Sequence, residues 1–96
     1  MTDGVPVAEE TVDSTATAAG LTESLYKPSG MRVERRALIE VLTQDVYYRL
    51  DSGSATPDSN DHAGLVGMRI DVRVPSRFRY IRQSADGKLK VTYFEV

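Results

Sequence analysis

Three groups of residues in this sequence are of types that can do chemistry. Asp58, Asn60 and Asp61 bring oxygen donors close together, as a calcium loop does. An EF-hand loop also needs a closing glutamate, and none follows before Glu95, so the cluster reads as solvated turn chemistry. His62 is the one histidine and there is no cysteine. That removes disulfides, thiolate metal sites and cysteine nucleophiles together, and leaves too few ligands for a His-rich metal site. Phe78, Arg79, Tyr80 and Arg82 interleave aromatic and basic side chains like a platform for single-stranded nucleic acid. Packing Phe78 and Tyr80 into a core explains them more simply. The chain has no glycine-rich phosphate loop, nucleophile elbow or His-Glu pair at metal spacing. The sequence therefore predicts no enzyme, no cofactor or metal, and no nucleic-acid partner.

The elements that would position these residues are strands. Met68–Val74 alternates without a break, with Met68, Ile70, Val72 and Val74 on one side and Arg69, Asp71 and Arg73 on the other. A period of two means an extended strand with one dry and one wet face. Arg77–Gln83 and Lys88–Phe94 alternate in the same way, and Asp86-Gly87 between them predicts a tight hairpin. Met31–Leu50 has two readings. Val33, Ala37, Leu38, Val41 and Leu42 have passable helical spacing, whereas Ala37–Thr43 and Val46–Leu50 read as two strands about a Gln44-Asp45 turn. The density of β-branched and aromatic residues in the second half favours two strands. Lys27-Pro28-Ser29-Gly30 predicts a turn, and Asp51–Gly67, rich in Gly, Asp and Ser, a long surface loop. Ile39, Val41, Ile70, Val72, Phe78, Leu89 and Val91 are the expected core.

At 96 residues the chain has room for one modest core. No apolar run is long enough to span a membrane, and no basic-then-apolar leader opens the chain, so synthesis in the cytoplasm without a membrane partner is expected. The net charge of −2 hides a polarised distribution. Met1–Ala19 carries Asp3, Glu9, Glu10 and Asp13 with no base, while Arg69–Lys90 carries seven bases against Asp71 and Asp86. With little apolar content, residues 1–19 are expected to form an extended acidic arm, ordered only by contacts outside a sandwich domain of residues 20–96. Val5, Val7, Glu9, Glu10, Val12 and Asp13 on the arm, and Arg69, Arg73, Arg77, Arg79, Lys88 and Lys90 on the strands, are the candidate protein-interaction residues. Val5, Val7 and Val12 could add a strand to an exposed sheet edge. The bases are expected to meet acids on a neighbour, including the acidic arm of another copy, through contacts weakened by salt.

With the strands placed, a resemblance emerges. Gly20-Leu21-Thr22, Tyr26, Arg36-Ala37-Leu38-Ile39-Glu40-Val41, Val46-Tyr47-Tyr48-Arg49-Leu50-Asp51, Pro57, Phe78-Arg79-Tyr80-Ile81 and Leu89-Lys90-Val91-Thr92-Tyr93 follow one another in order. This pattern resembles small all-β virion proteins of tailed bacteriophages, whose chains read Tyr-Arg-Leu-Asp-Gly, then Pro-Thr, then Gly-His, and end on Leu-x-Val-x-Tyr. The similarity runs from Gly20 to Val96. It departs where Ser52 separates Asp51 from Gly53, where Asp58 follows Pro57, and where Asp61 precedes His62. The resemblance implies an antiparallel, jelly-roll-like β-sandwich used as a structural virion part on the capsid surface. Its expected partners are the major capsid protein and further copies of itself in a homotrimer. A capsid decoration protein that strengthens the shell is the leading expectation, with the arm as a separable tether. The alternative is a fibre-associated module that recognises carbohydrate or host surface. Exposed loop aromatics would favour the alternative, but the chain has no tryptophan and Asp51–Gly67 no aromatic residue.

Overall fold

The computed structural model describes residues 5–50 and 61–95. Eight strands carry the chain: β1 (Pro6–Ser14), β2 (Ala19–Gly20), β3 (Arg36–Val41), β4 (Val46–Arg49), β5 (His62–Gly64), β6 (Arg69–Val72), β7 (Arg79–Arg82) and β8 (Gly87–Phe94). A single helical turn, α1 (Glu23–Tyr26), and a 3-10 turn at Pro75–Arg77 interrupt them. The strands form two four-stranded sheets in the orders β1-β8-β3-β6 and β2-β7-β4-β5, and every neighbouring pair is antiparallel. This is the strand order of a jelly roll, in which a long hairpin folds over so that consecutive strands fall mostly in opposite sheets. The fold is therefore an all-β antiparallel sandwich, as the alternating sequence predicts.

Alternation explains each strand. β3 and β8 bury every second residue, and Ala37, Ile39, Val41, Leu89, Val91 and Tyr93 are at most 2% exposed. Ile70 and Val72 from β6 complete the inner face of the first sheet, and Val46, Tyr48 and Tyr80 that of the second. Phe78 lies between Tyr48 and Tyr80, with ring centroids 5.7 and 5.8 Å away. All seven residues expected in the core are buried. Met31–Leu50 contains two strands, so its helical spacing misleads; β-branched and aromatic side chains pack better on a pleated surface.

The structure corrects several local expectations. Pro6–Ser14 is not an arm outside the sandwich: it pairs along β8 from Phe94 to Gly87. Its alternation is masked in the sequence because two of its inward positions are Glu10 and Ser14 rather than apolar residues. β6 is shorter than Met68–Val74, and Met68 and Val74 are 37% and 42% exposed. Part of the expected Asp51–Gly67 loop is strand β5, while the Asp58-Asn60 donors lie outside the described residues. Residues 77–78 precede β7 rather than belonging to it.

Asp86-Gly87 is not a hairpin turn either, because β7 and β8 belong to different sheets. Gly87 is needed for space, not for a left-handed backbone: a Cβ there would lie 2.6 Å from Gln44 Cβ and 3.0 Å from the Gln44 nitrogen. Gly87→Ala is expected to lower stability by about 1–3 kcal/mol through overpacking, read from urea unfolding midpoints. An unchanged midpoint would show that the β3–β4 turn yields freely. Gly30 and Gly67, with φ of 92° and 91°, do supply the positive φ that their turns require.

Candidate protein interface

The jelly roll gathers its connections at two ends. At one end the β3–β4, β5–β6 and β7–β8 connections interlock through backbone N–H donors. Val66 N–H donates to Asp45 Oδ1 at 2.9 Å, Gln83 N–H to the Asp45 carbonyl at 3.2 Å, and Gly67 N–H to the Val41 carbonyl at 2.8 Å. These bonds hold Leu42, Leu65, Val66 and Met68 at adjacent turn positions, 40%, 50%, 52% and 37% exposed. Four large apolar side chains exposed on neighbouring turns at one end of a small domain are of the kind that marks a protein contact. Sequence reasoning missed it. By sequence Leu42 falls in a strand, Met68 on a dry face, and Leu65-Val66 in a long surface loop. Its one legible signal was Leu65-Val66 set between Gly64 and Gly67.

The candidate interaction residues separate in the structure. Glu9, Asp13, Lys88, Lys90, Arg69 and, just past the strand, Arg73 lie on the outer face of the first sheet, opposite the buried positions of β1, β8 and β6. Much of this charge is matched within the chain. Lys88 Nζ lies 2.7 Å from Asp13 Oδ1, Arg69 Nε 3.9 Å from Glu40, and Asp71 2.7 Å from Arg36. Lys90 stands in register between Thr11 and Glu40. Arg77 is exposed on the 3-10 turn, away from that face, and Arg79 is half-buried on the second sheet. Arg79 lies over Gly20, where a Cβ would come within 3.3 Å of its guanidinium. Val5 and Val7 are exposed at the start of β1, and Glu95 N–H donates to the Val5 carbonyl.

Val12 and Glu10 are corrected as surface contacts, because the even-numbered positions of β1 from Ala8 to Ser14 face inward. Val12 packs against the core. Glu10 ties three elements together: it accepts hydrogen bonds from the Tyr93 hydroxyl, from the Thr22 hydroxyl at 2.7 Å, and from Thr22 N–H at 3.3 Å. Burial, and then the bond to Glu10, holds the Tyr93 hydroxyl in its neutral form well above the ordinary tyrosine range. Tyr80 is pushed up to about 12, by burial first and by Glu10 and Asp13 next. This cluster fastens β1 to α1 and β8. His62, on β5, stacks on Tyr48 with ring centroids 5.2 Å apart.

Among the described residues, no group of three or more His, Asp or Glu side chains could hold a metal ion, and no helix is long and apolar enough to cross a membrane. Comparison with family models, curated proteins and solved structures gave no match to this chain.

Proposed function

We propose that this protein is a structural virion component of a tailed bacteriophage, a decoration protein that binds the capsid surface and stabilises the shell. Its partners in this reading are the major capsid protein and further copies of itself. The observation that carries it is the apolar end formed by Leu42, Leu65, Val66 and Met68 on a jelly roll whose strand pattern resembles such proteins. Jelly rolls recur in capsid architecture because two sheets closed over one core make a rigid block with loops presented at its ends. An apolar end on such a block buries against a coat subunit and resists separation of neighbouring subunits.

The test is co-sedimentation with undecorated shells assembled from the major capsid protein. The wild-type chain is expected to pellet with the shells and raise their unfolding temperature. Leu65→Asp with Val66→Asp is expected to abolish attachment while leaving the circular dichroism spectrum unchanged, since both side chains are about half exposed. Failure of the wild type to co-sediment would sink the reading. Jelly rolls also serve as lectin domains, and binding to host-surface glycans in place of shells would establish the fibre-associated alternative.

A further inference from the structure

The first sheet has two open edges. β1 and β6 each pair on one side only among the described residues. We propose that these edges join β1 of one copy to β6 of the next, so that the sheet continues from subunit to subunit. The occupant of each edge is thus a second copy of this chain, and the inference holds whether or not the virion reading does.

Direction, backbone phase and charge all support it. In the order β1-β8-β3-β6 every neighbour is antiparallel, so β1 and β6 run in opposite directions. A copy added at the edge with the same sheet orientation therefore makes an antiparallel pair. Val41 N–H donates to the Met68 carbonyl, and Leu42 N–H to the Lys88 carbonyl. Because backbone groups alternate sides along a strand, Ile70 and Val72 bond inward to β3, and Arg69, Asp71 and Arg73 turn their backbone groups to the open edge. By the same alternation, Lys88 faces β3 while Leu89 and Val91 face β1. Their partners Val12 and Glu10 are then used, and Glu9, Thr11 and Asp13 are left at the open edge.

The side chains of those residues lie on the outer face. Glu9 and Asp13 are spaced four apart on β1, and Arg69 and Arg73 four apart at β6. In one antiparallel register Glu9 falls opposite Arg73, Thr11 opposite Asp71, and Asp13 opposite Arg69. Each pair meets in phase for hydrogen bonding and on the same face, where cross-strand pairs interact most directly. Slipping the register by two residues in one direction sets Glu9 against Asp71, and in the other Asp13 against Asp71. Both create like-charge pairs, so charge selects one alignment. Pairing β1 with a second β1 would bring acidic strands together without a base. Glu9 and Arg73 have no ion pair among the described residues, whereas Asp13 and Arg69 also meet Lys88 and Glu40 within the chain, the Arg69 side chain staying 71% exposed. A joint made of two different edges is heterologous and can close into a ring. Each copy in a ring is held on both sides, which compensates for the small area of a single joint.

Sedimentation equilibrium of the isolated protein tests this without any shell. The wild type is expected to self-associate, more weakly as salt rises. Arg69→Glu with Arg73→Glu, and separately Glu9→Lys with Asp13→Lys, should each weaken association by roughly tenfold or more. Mixing the two variants should restore it, because each then offers the edge that the other needs. A cysteine-free chain permits a second readout: Thr11→Cys with Asp71→Cys should cross-link between copies on oxidation. Within one chain those positions are three strand spacings apart, about 14 Å, too far for a disulfide. A monomeric wild type, charge variants that associate as strongly as the wild type, or dimers cross-linked by Thr11→Cys alone would each overturn the proposal.

Discussion

Deleting residues 1–14 is expected to abolish the folded state. β1 is paired along β8 at eight positions, from Pro6↔Phe94 to Ser14↔Gly87. Its removal leaves the backbone of β8 open on one side and uncovers Leu89, Val91 and Tyr93, which are fully buried in the intact chain. It also removes the inward side chains of Ala8 and Val12, the Ser14 hydroxyl that accepts Gly87 N–H at 3.1 Å, and the Glu10 carboxylate. A lost backbone hydrogen bond costs on the order of 1 kcal/mol net, and a domain is stable by only about 5–15 kcal/mol in all. Losing a ladder of this length together with core contacts is larger than such a margin. The shortened chain should lack cooperative urea unfolding and bind hydrophobic dyes. A truncated protein that unfolds cooperatively near the wild-type midpoint would show that the strand is dispensable, as a tether outside the domain would be.

Alkaline unfolding is the second large effect. Tyr80 is almost wholly buried, and its hydroxyl is pushed up to about 12 from an ordinary value of 10.0. Tyr93 is raised further still, by burial and by its bond to Glu10. A folded-state value above the unfolded one means that the native state keeps a proton that the unfolded chain releases. The associated stability is complete below pH 10 and is lost as pH rises through the folded value. For Tyr80 the two-unit difference corresponds to roughly 3 kcal/mol, and Tyr93 adds to it in the same direction. Cooperative unfolding is therefore expected as pH climbs from 10 towards 12. Tyr93→Phe should remove part of that pH dependence while losing the Glu10 bond at neutral pH. Stability flat from pH 9 to 12, with tyrosinate absorbance rising in the folded state, would refute it.

Some of this architecture was legible because burial alternates with the backbone. Ala37, Ile39 and Val41, then Leu89, Val91 and Tyr93, reveal strands and their buried faces without any partner in view. A stretch such as Val46-Tyr47-Tyr48-Arg49 shows strand preference through its residue types alone. β1 was not legible in this way, because its inward positions include Glu10 and Ser14. Those polar groups are acceptable inside only because Tyr93, Thr22 and Gly87 donate to them from far along the chain. Asp86-Gly87 misled for a related reason: it has hairpin chemistry, but its glycine answers the close approach of Gln44.

The sequence alone determined that the chain is a small all-β protein, which residues form most of its core, and that acids and bases are segregated between its ends. Local alternation and composition are properties of neighbouring residues, so they survive without coordinates. Long-range pairing, in contrast, makes the acidic segment the edge strand of one sheet and sets Glu9 and Asp13 at the edge opposite Arg69 and Arg73. It alone gathers Leu42, Leu65, Val66 and Met68 at one end. These depend on which strands become neighbours across the sandwich. That choice comes from long-range pairing and packing, to which no short stretch of sequence has access.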